Sequence, residues 1–227
     1  MKILAIETAT EACSAALLID NEVTERFQVA PREHGDLILR MVDELLQEAG
    51  VSLAQLDALA FGRGPGSFTG VRMATGVVQG LAFSANLPVA AVSTLSAVAQ
   101  QVVAEAEGKT IYCALDARMG EVYWCEYEVV GRHLHAVASE QVIAPQSLQV
   151  EPAIAAIGIG HGWDTYKNEL SEIVQVGQLN ILPKALPRAR EVVQLARNMV
   201  EKGQLVSAEN ALPVYLRDNV AKKKAQQ

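Results

Sequence analysis

KILAIETATEACSAALLIDNEVTERFQV, residues 2–29, decides the fold. Residues 2–6 are an apolar run closed by Glu7-Thr8-Ala9-Thr10. Residues 13–19 are a second run, and Asp20-Asn21 supplies a turn in the hairpin range. Residues 23–29 then alternate Val23, Glu25, Phe27 and Val29 against Thr24, Arg26 and Gln28. That period of two marks a strand with two unlike faces. Three strands in succession, two of them joined as a hairpin, predict antiparallel pairing at the start of a sheet.

Downstream the period changes. Pro31 breaks the chain, and Leu37, Met41, Leu45 and Ala49 recur every four residues beside Ile38, Val42 and Leu46. This predicts an amphipathic helix over His34–Ala49, with Gly50 placed to cap its C-terminus. Residues 56–61 form a short strand and 62–66 a loop; Ser67 or Thr69 can cap a second helix reaching Ser84. A strand at 88–92 and a third helix from Ser93 to about Glu107 complete a β-β-β-α-β-α-β-α order. Strands alternating with helices favour parallel pairing in an α/β sheet.

The order repeats in outline after Gly108. Strands are predicted at 110–116, 121–130, 134–143 and 153–159, with helices starting at Pro145 and spanning 163–174 and 188–202. The chain therefore divides into an N-terminal lobe, 1–107, and a C-terminal lobe, 108–227, whose tail has room to return to the first.

Half of the 227 residues are hydrophobic, and 26 acidic against 19 basic residues give a net charge of −7. Phosphate affinity comes from clustered Lys and Arg, so this balance argues against a chain that grips nucleic acid by itself. It argues equally against disorder, which needs few apolar residues. No apolar run approaches the ~20 residues of a membrane helix. The first apolar run meets an acidic residue at once, unlike a secretory signal. The three cysteines, Cys13, Cys113 and Cys125, cannot all pair with one another and read as reduced core thiols of a cytosolic protein.

The strongest local motif is GRGPGSFTG, 62–70. Its glycines permit a tight loop whose backbone N–H groups can approach an anion at a helix N-terminus, with Arg63 and Arg72 adding charge. Arg63, Gly64 and Gly66, together with Glu7, Thr8 and Thr10, are thus candidate nucleotide or anion contacts. The alternative is a helix-start loop with a capping serine. The motif is not a P-loop, because Val71-Arg72 follows Gly70 where Lys and Ser/Thr are required. In the following helix Gly76, Gly80 and Ser84 share a face with Gly70 and Met73 nearby. Each interior glycine costs about 1 kcal/mol against alanine. Such a face predicts another element lying close along it, either the 37–46 helix or a helix of another molecule. Asp116, Arg118 and Glu121 read as charged groups of a hairpin turn. Of His34, His133, His135 and His161, no two lie three or four residues apart, so no helical metal pair exists and no metal site is expected.

The strings ILAIETATEACSAAL (3–17), PREH (31–34), GRGPGSFTGVR (62–72), DARMGEVYW (116–124) and PVYLR (213–217) together resemble the bacterial TsaB (YeaZ) family. The resemblance implies the two-lobed α/β fold of actin, Hsp70 and sugar kinases. It implies a part in making N6-threonylcarbamoyladenosine (t6A) at position 37 of tRNAs that read ANN codons. The family's members are non-catalytic paralogues of the transferase TsaD, dimerise with it, associate with the ATPase TsaE, and also form homodimers. They depend functionally on TsaC, meet tRNA only through the complex, and act in the cytoplasm away from membranes. No cofactor of the chain's own is implied, although the surface shared with TsaD leaves room for ATP or ADP.

In the family the first two helices form the partner interface, which here maps onto His34, Leu37, Ile38, Met41, Leu45, Ser67, Thr69, Met73, Gly76 and Gly80. Leu37, Met41 and Leu45 are then expected to be an exposed apolar patch. The TsaD histidine pair is missing, and Glu7 stands where superfamily ATPases usually carry aspartate, so neither transfer nor autonomous ATP hydrolysis is implied. The alternatives to a scaffold subunit are an autonomous ATP-dependent phosphotransferase using the 8–10 and 62–70 loops, and a metalloprotease.

Overall fold

The computed structural model describes residues 1–174 and 176–217. The lysines at 222–224 lie outside them. Strands β1 (Lys2–Glu7), β2 (Ala12–Ile19) and β3 (Glu22–Val29) run antiparallel in sequence, and β4 (Ala58–Gly62) and β5 (Val89–Val92) extend the sheet in parallel, in the order β3-β2-β1-β4-β5. Helices α1 (His34–Ala49) and α2 (Phe68–Ala85) lie on one face. The second sheet is built from β6 (Thr110–Arg118), β7 (Glu121–Val130), β8 (His133–Ala136), β10 (Ala153–Ile159) and β11 (Val176–Leu182), in the order β11-β10-β6-β7-β8. Replacing β1 to β5 by β6, β7, β8, β10 and β11 gives the same order. The two lobes thus share one plan, that of the actin, Hsp70 and sugar-kinase fold.

The alternation of strand side chains explains the layers. Leu4 and Ile6 of β1 join Leu17, Leu59 and Phe61 under α1 and α2. Ile3 and Ala5 point to the other face and join Ala16, Leu18 and Ala60. That second face is covered by α6 (Ala189–Glu201) through Ala189, Val192, Val193 and Ala196. The helix α3 (Thr94–Gln100) lies between the sheets: Ala97 packs with the first, while Leu95, Val98 and Ala99 pack with Ile111 and Cys113 of the second. Helix α6 packs on β1, β2, β4 and β5 of the first sheet.

Several boundaries differ from expectation. The third helix stops at Gln100 and continues only as a 3-10 turn at Val103–Glu105. The strand expected over 134–143 is two short pieces, β8 and β9 (Gln141–Ile143), each paired to part of β7. The helix expected from Pro145 is one 3-10 turn, and the 163–174 helix is split into α4 (Gly162–Thr165) and α5 (Lys167–Ile173). Strand β11 had no counterpart in the sequence reading. Its residues alternate between half-buried and exposed at a sheet edge, which leaves a weak apolar signal.

Candidate functional site: an open helix face and an inter-lobe cleft

Helix α2 starts where Ser67 Oγ accepts the Gly70 N–H at 3.0 Å. Its inner side, Val71, Ala74, Val78 and Ala82, is buried. Its outer side carries Thr69, Arg72, Gly76, Gly80 and Phe83, all exposed and all within one stripe of the helix. A Cβ at Gly76 or Gly80 would meet nothing within 4 Å. Among the described residues nothing covers the glycine face, and α1 does not occupy it. Helix α1 approaches α2 elsewhere, with Met73 Cε 3.7 Å from the Cβ position of Gly35. Phe68 is 66% and Phe83 83% exposed, so the notch is flanked by two largely exposed aromatic side chains.

The α1 half of the expected interface is corrected. Leu37, Ile38, Met41 and Leu45 are buried in the chain's own core against β2 and β4 residues, not in an exposed patch. His34 is buried as well, its Nε2 lying 2.9 Å from the Thr10 carbonyl and 3.2 Å from that of Ala12. An amphipathic helix packs its apolar stripe on the nearest sheet, and here that sheet belongs to the same lobe. The outer face of α1 presents Asp36, Leu39, Arg40, Asp43 and Glu44. Of the expected interface residues, Ser67, Thr69, Gly76 and Gly80 are exposed and Met73 is half-buried. The sequence reading missed Phe68, Phe83 and Leu39, and it assigned Arg72 to the glycine loop. Projecting residues 69, 72, 76, 80 and 83 on a helical wheel would have found the stripe.

The glycine-rich loop packs against the end of β1, and Ser67 caps the helix that follows it. A Cβ at Gly62 would stand 1.8 Å from Glu7 Oε2, and one at Gly70 2.0 Å from the Thr8 carbonyl oxygen. Ser67 donates its N–H to the Ala9 carbonyl at 2.7 Å, and Thr8 Oγ1 donates to the Gly70 carbonyl at 2.7 Å. The glycines let residues 62–70 close directly onto residues 7–10. Glu7 and Thr8 are wholly buried there. Ala9 donates its N–H to Glu7 Oε1 at 2.6 Å and Thr94 its hydroxyl to Oε2 at 3.3 Å. Burial nevertheless outweighs these bonds and raises the Glu7 pKa from 4.5 to about 7. Gly64 abuts the Val214 carbonyl, and Arg63 pairs with Glu140 of the second lobe at 3.3 Å. Glu7, Thr8, Arg63 and Gly64 are thus engaged within the chain; Thr10 and Gly66 line a cleft.

That cleft, about 690 Å³, lies between the lobes. Thr10, Glu11 and Arg32 face it from the first lobe, and Asp116, Arg118 and His161 from the second. Asp116 Oδ1 accepts the Arg118 N–H at 2.8 Å, and its Oδ2 pairs with the Arg118 guanidinium at 3.1 Å; Asp116 lines the cleft at the base of a hairpin turn whose tip is exposed. The His161 pKa is lowered by burial, and its Nδ1 has no hydrogen-bond partner among the described residues. A strap, residues 211–217, closes one side. Val214 donates its N–H to the Arg63 carbonyl at 2.8 Å, Arg217 bonds the Ala117 carbonyl at 2.9 Å, and Arg217 pairs with Glu121. Among the described residues, no three His, Cys, Asp or Glu side chains are grouped to hold a metal, and no helix is long and apolar enough to cross a membrane.

The family model described as tRNA N6-adenosine threonylcarbamoyltransferase, TsaD, matches residues 20–225. A protein named tRNA threonylcarbamoyladenosine biosynthesis protein TsaB, from Escherichia coli K12, is 42% identical over 99% of this chain and 98% of its own. The Haemophilus influenzae protein of the same name is 39% identical over 99% and 97%. Among solved structures, YeaZ from Pseudomonas aeruginosa superposes with a TM-score of 0.87 at 44% identity, over 95% of this chain and 99% of that one. A second Pseudomonas aeruginosa structure, described as similar to peptidase YEAZ, superposes equally at 43% identity.

Proposed function

The chain belongs to the TsaB family of tRNA threonylcarbamoyladenosine biosynthesis proteins, and from that premise we propose that it is the non-catalytic scaffold subunit of t6A formation. It docks on TsaD through the open face of α2, holds TsaD in a competent state, and helps TsaE join. The modified position is A37 of tRNAs reading ANN codons, reached only through the complex in the cytoplasm. Self-association uses the same face. ATP or ADP belongs at the surface shared with TsaD, and TsaC acts upstream without contact.

The observation that carries this reading is the pair Gly76 and Gly80, exposed and unfilled among the described residues. Two interior glycines cost about 1 kcal/mol each in helix stability, and nothing in this lobe uses the space they leave. A helix from a partner does use such space. Further support comes from the two strand-end carboxylates that phosphotransfer chemistry would need. Glu7 is sealed beneath Gly62, and Asp116 is bound by Arg118. Mixing the purified chain with TsaD on a size-exclusion column, then assaying t6A on tRNA with and without the chain, tests the proposal. Titration with ATP in a calorimeter tests the rival reading: micromolar binding with turnover by the isolated chain favours a phosphotransferase.

A further inference from the structure

Among the described residues, eight of the eleven arginines pair with a carboxylate. Arg72, on the open face of α2, pairs with none of the described carboxylates, and its neighbours there are aromatic. Its guanidinium carbon lies 3.2 Å from the Phe68 ring centroid and 4.6 Å from that of Tyr215. Its Nη1 donates to the Phe68 carbonyl at 3.0 Å. The guanidinium carbon lies over both rings, an arrangement in which N–H groups at the guanidinium edge can serve an oxygen acceptor. The stack is also held from outside α2. Tyr215 sits on the strap, fixed by the Val214–Arg63 backbone bond on one side and by Arg217 on the second lobe at the other. A long side chain that would otherwise lose rotamer freedom on binding is thus ordered beforehand.

We propose that Arg72, clamped between Phe68 and Tyr215, is the charge-reading anchor of the docking face and accepts a carboxylate side chain of the TsaD subunit. The proposal deepens the docking reading and rests on it. Arginine flanked by aromatic rings is the composition of an interface hot spot. A planar carboxylate matches the fork geometry of the free guanidinium edge. An RNA phosphate fits less well: the chain carries a net charge of −7, and neighbouring α1 exposes Asp36 and Asp43, while its Arg40 is paired with Glu44, so a polyanion is repelled more than a single carboxylate. The second lobe thereby gains a role in docking, since it anchors the strap that positions Tyr215.

The test measures the affinity of full-length chain for TsaD, at low and high salt, for the wild type, Arg72→Met, Arg72→Lys and Gly76→Leu, with a thermal melt of each to confirm folding. Arg72→Met keeps the aliphatic stem over Phe68 and removes the charge. It is expected to weaken TsaD binding by roughly 30-fold or more, and to flatten the dependence of affinity on salt. Arg72→Lys is expected to restore part of the salt dependence but less of the affinity. If Arg72→Met binds within twofold of wild type while Gly76→Leu does not bind, the anchor is refuted and the docking face stands. If Gly76→Leu also binds normally, the docking face itself is refuted. If Arg72→Met leaves TsaD affinity intact but weakens the complex for tRNA, Arg72 contacts phosphate and the proposal is overturned.

Discussion

Replacing Glu7 by glutamine tests how the strand end under the glycine loop is held. The carboxyl is wholly buried, and desolvation raises its pKa from 4.5 to about 7. At about 1.4 kcal/mol per pKa unit, that rise corresponds to about 3 kcal/mol. Because the folded-state pKa lies above the unfolded value, the stability tied to neutral Glu7 is complete below about pH 4.5 and is lost as pH rises through 7. Glutamine imitates the neutral acid: its oxygen can accept from the Ala9 N–H, and its amide can donate to Thr94 Oγ1. Urea unfolding of both proteins across this range is the assay. The two are expected to have equal stability near pH 4.5, and Glu7→Gln to be more stable by about 3 kcal/mol at pH 8. For a chain of this size the latter is a rise in melting temperature of roughly 6–12 °C. Glu191, whose pKa burial also raises to about 7, titrates in both proteins and cancels in the difference. A stability difference that does not change with pH, or a less stable variant at pH 8, would refute the reasoning.

Leu45→Ala is expected to cost about 2–5 kcal/mol in chemical denaturation, because the side chain is core and not an exposed docking patch. A cost under 0.5 kcal/mol would return Leu45 to the surface. Gly70→Ala is expected to destabilise by roughly 2–3 kcal/mol, since the new Cβ meets the Thr8 carbonyl oxygen, whereas Gly76→Ala six residues along the same helix is expected to stabilise by about 0.5–1 kcal/mol. Thermal melts of the two variants side by side check this opposition of sign.

The elements that the sequence made legible are those whose signal is local. Two apolar runs closed by turn residues marked β1 and β2, a period of two marked β3, and α1 was bounded by Pro31 and Gly50, so its limits agree with the structure. Elements whose stability is tertiary were harder to read. Strand β11 gains its place by pairing with β10, and β8 and β9 are two halves of one sheet edge. The apolar stripe of α1 showed that Leu37, Met41 and Leu45 share a face, but periodicity carries no information on whether that face meets its own sheet or another molecule. Likewise GRGPGSFTG announced a close approach without naming what approaches, and the answer is the chain's own 7–10 turn. The open glycine face of α2 was visible as spacing; that it stays empty required coordinates. The strap and the Arg72 stack join residues more than 140 positions apart and left no periodic trace.

The central claim, that α2 docks a partner with a face the fold itself leaves unused, is tested most directly by the double variant Gly76→Leu/Gly80→Leu. Both Cβ positions open into free space, and leucine is the better helix former, so the melting temperature is expected to equal or exceed that of the wild type. Co-elution with TsaD and t6A formation on tRNA are expected to be lost together. A well-folded double variant that co-elutes with TsaD and supports modification as the wild type does would contradict the account.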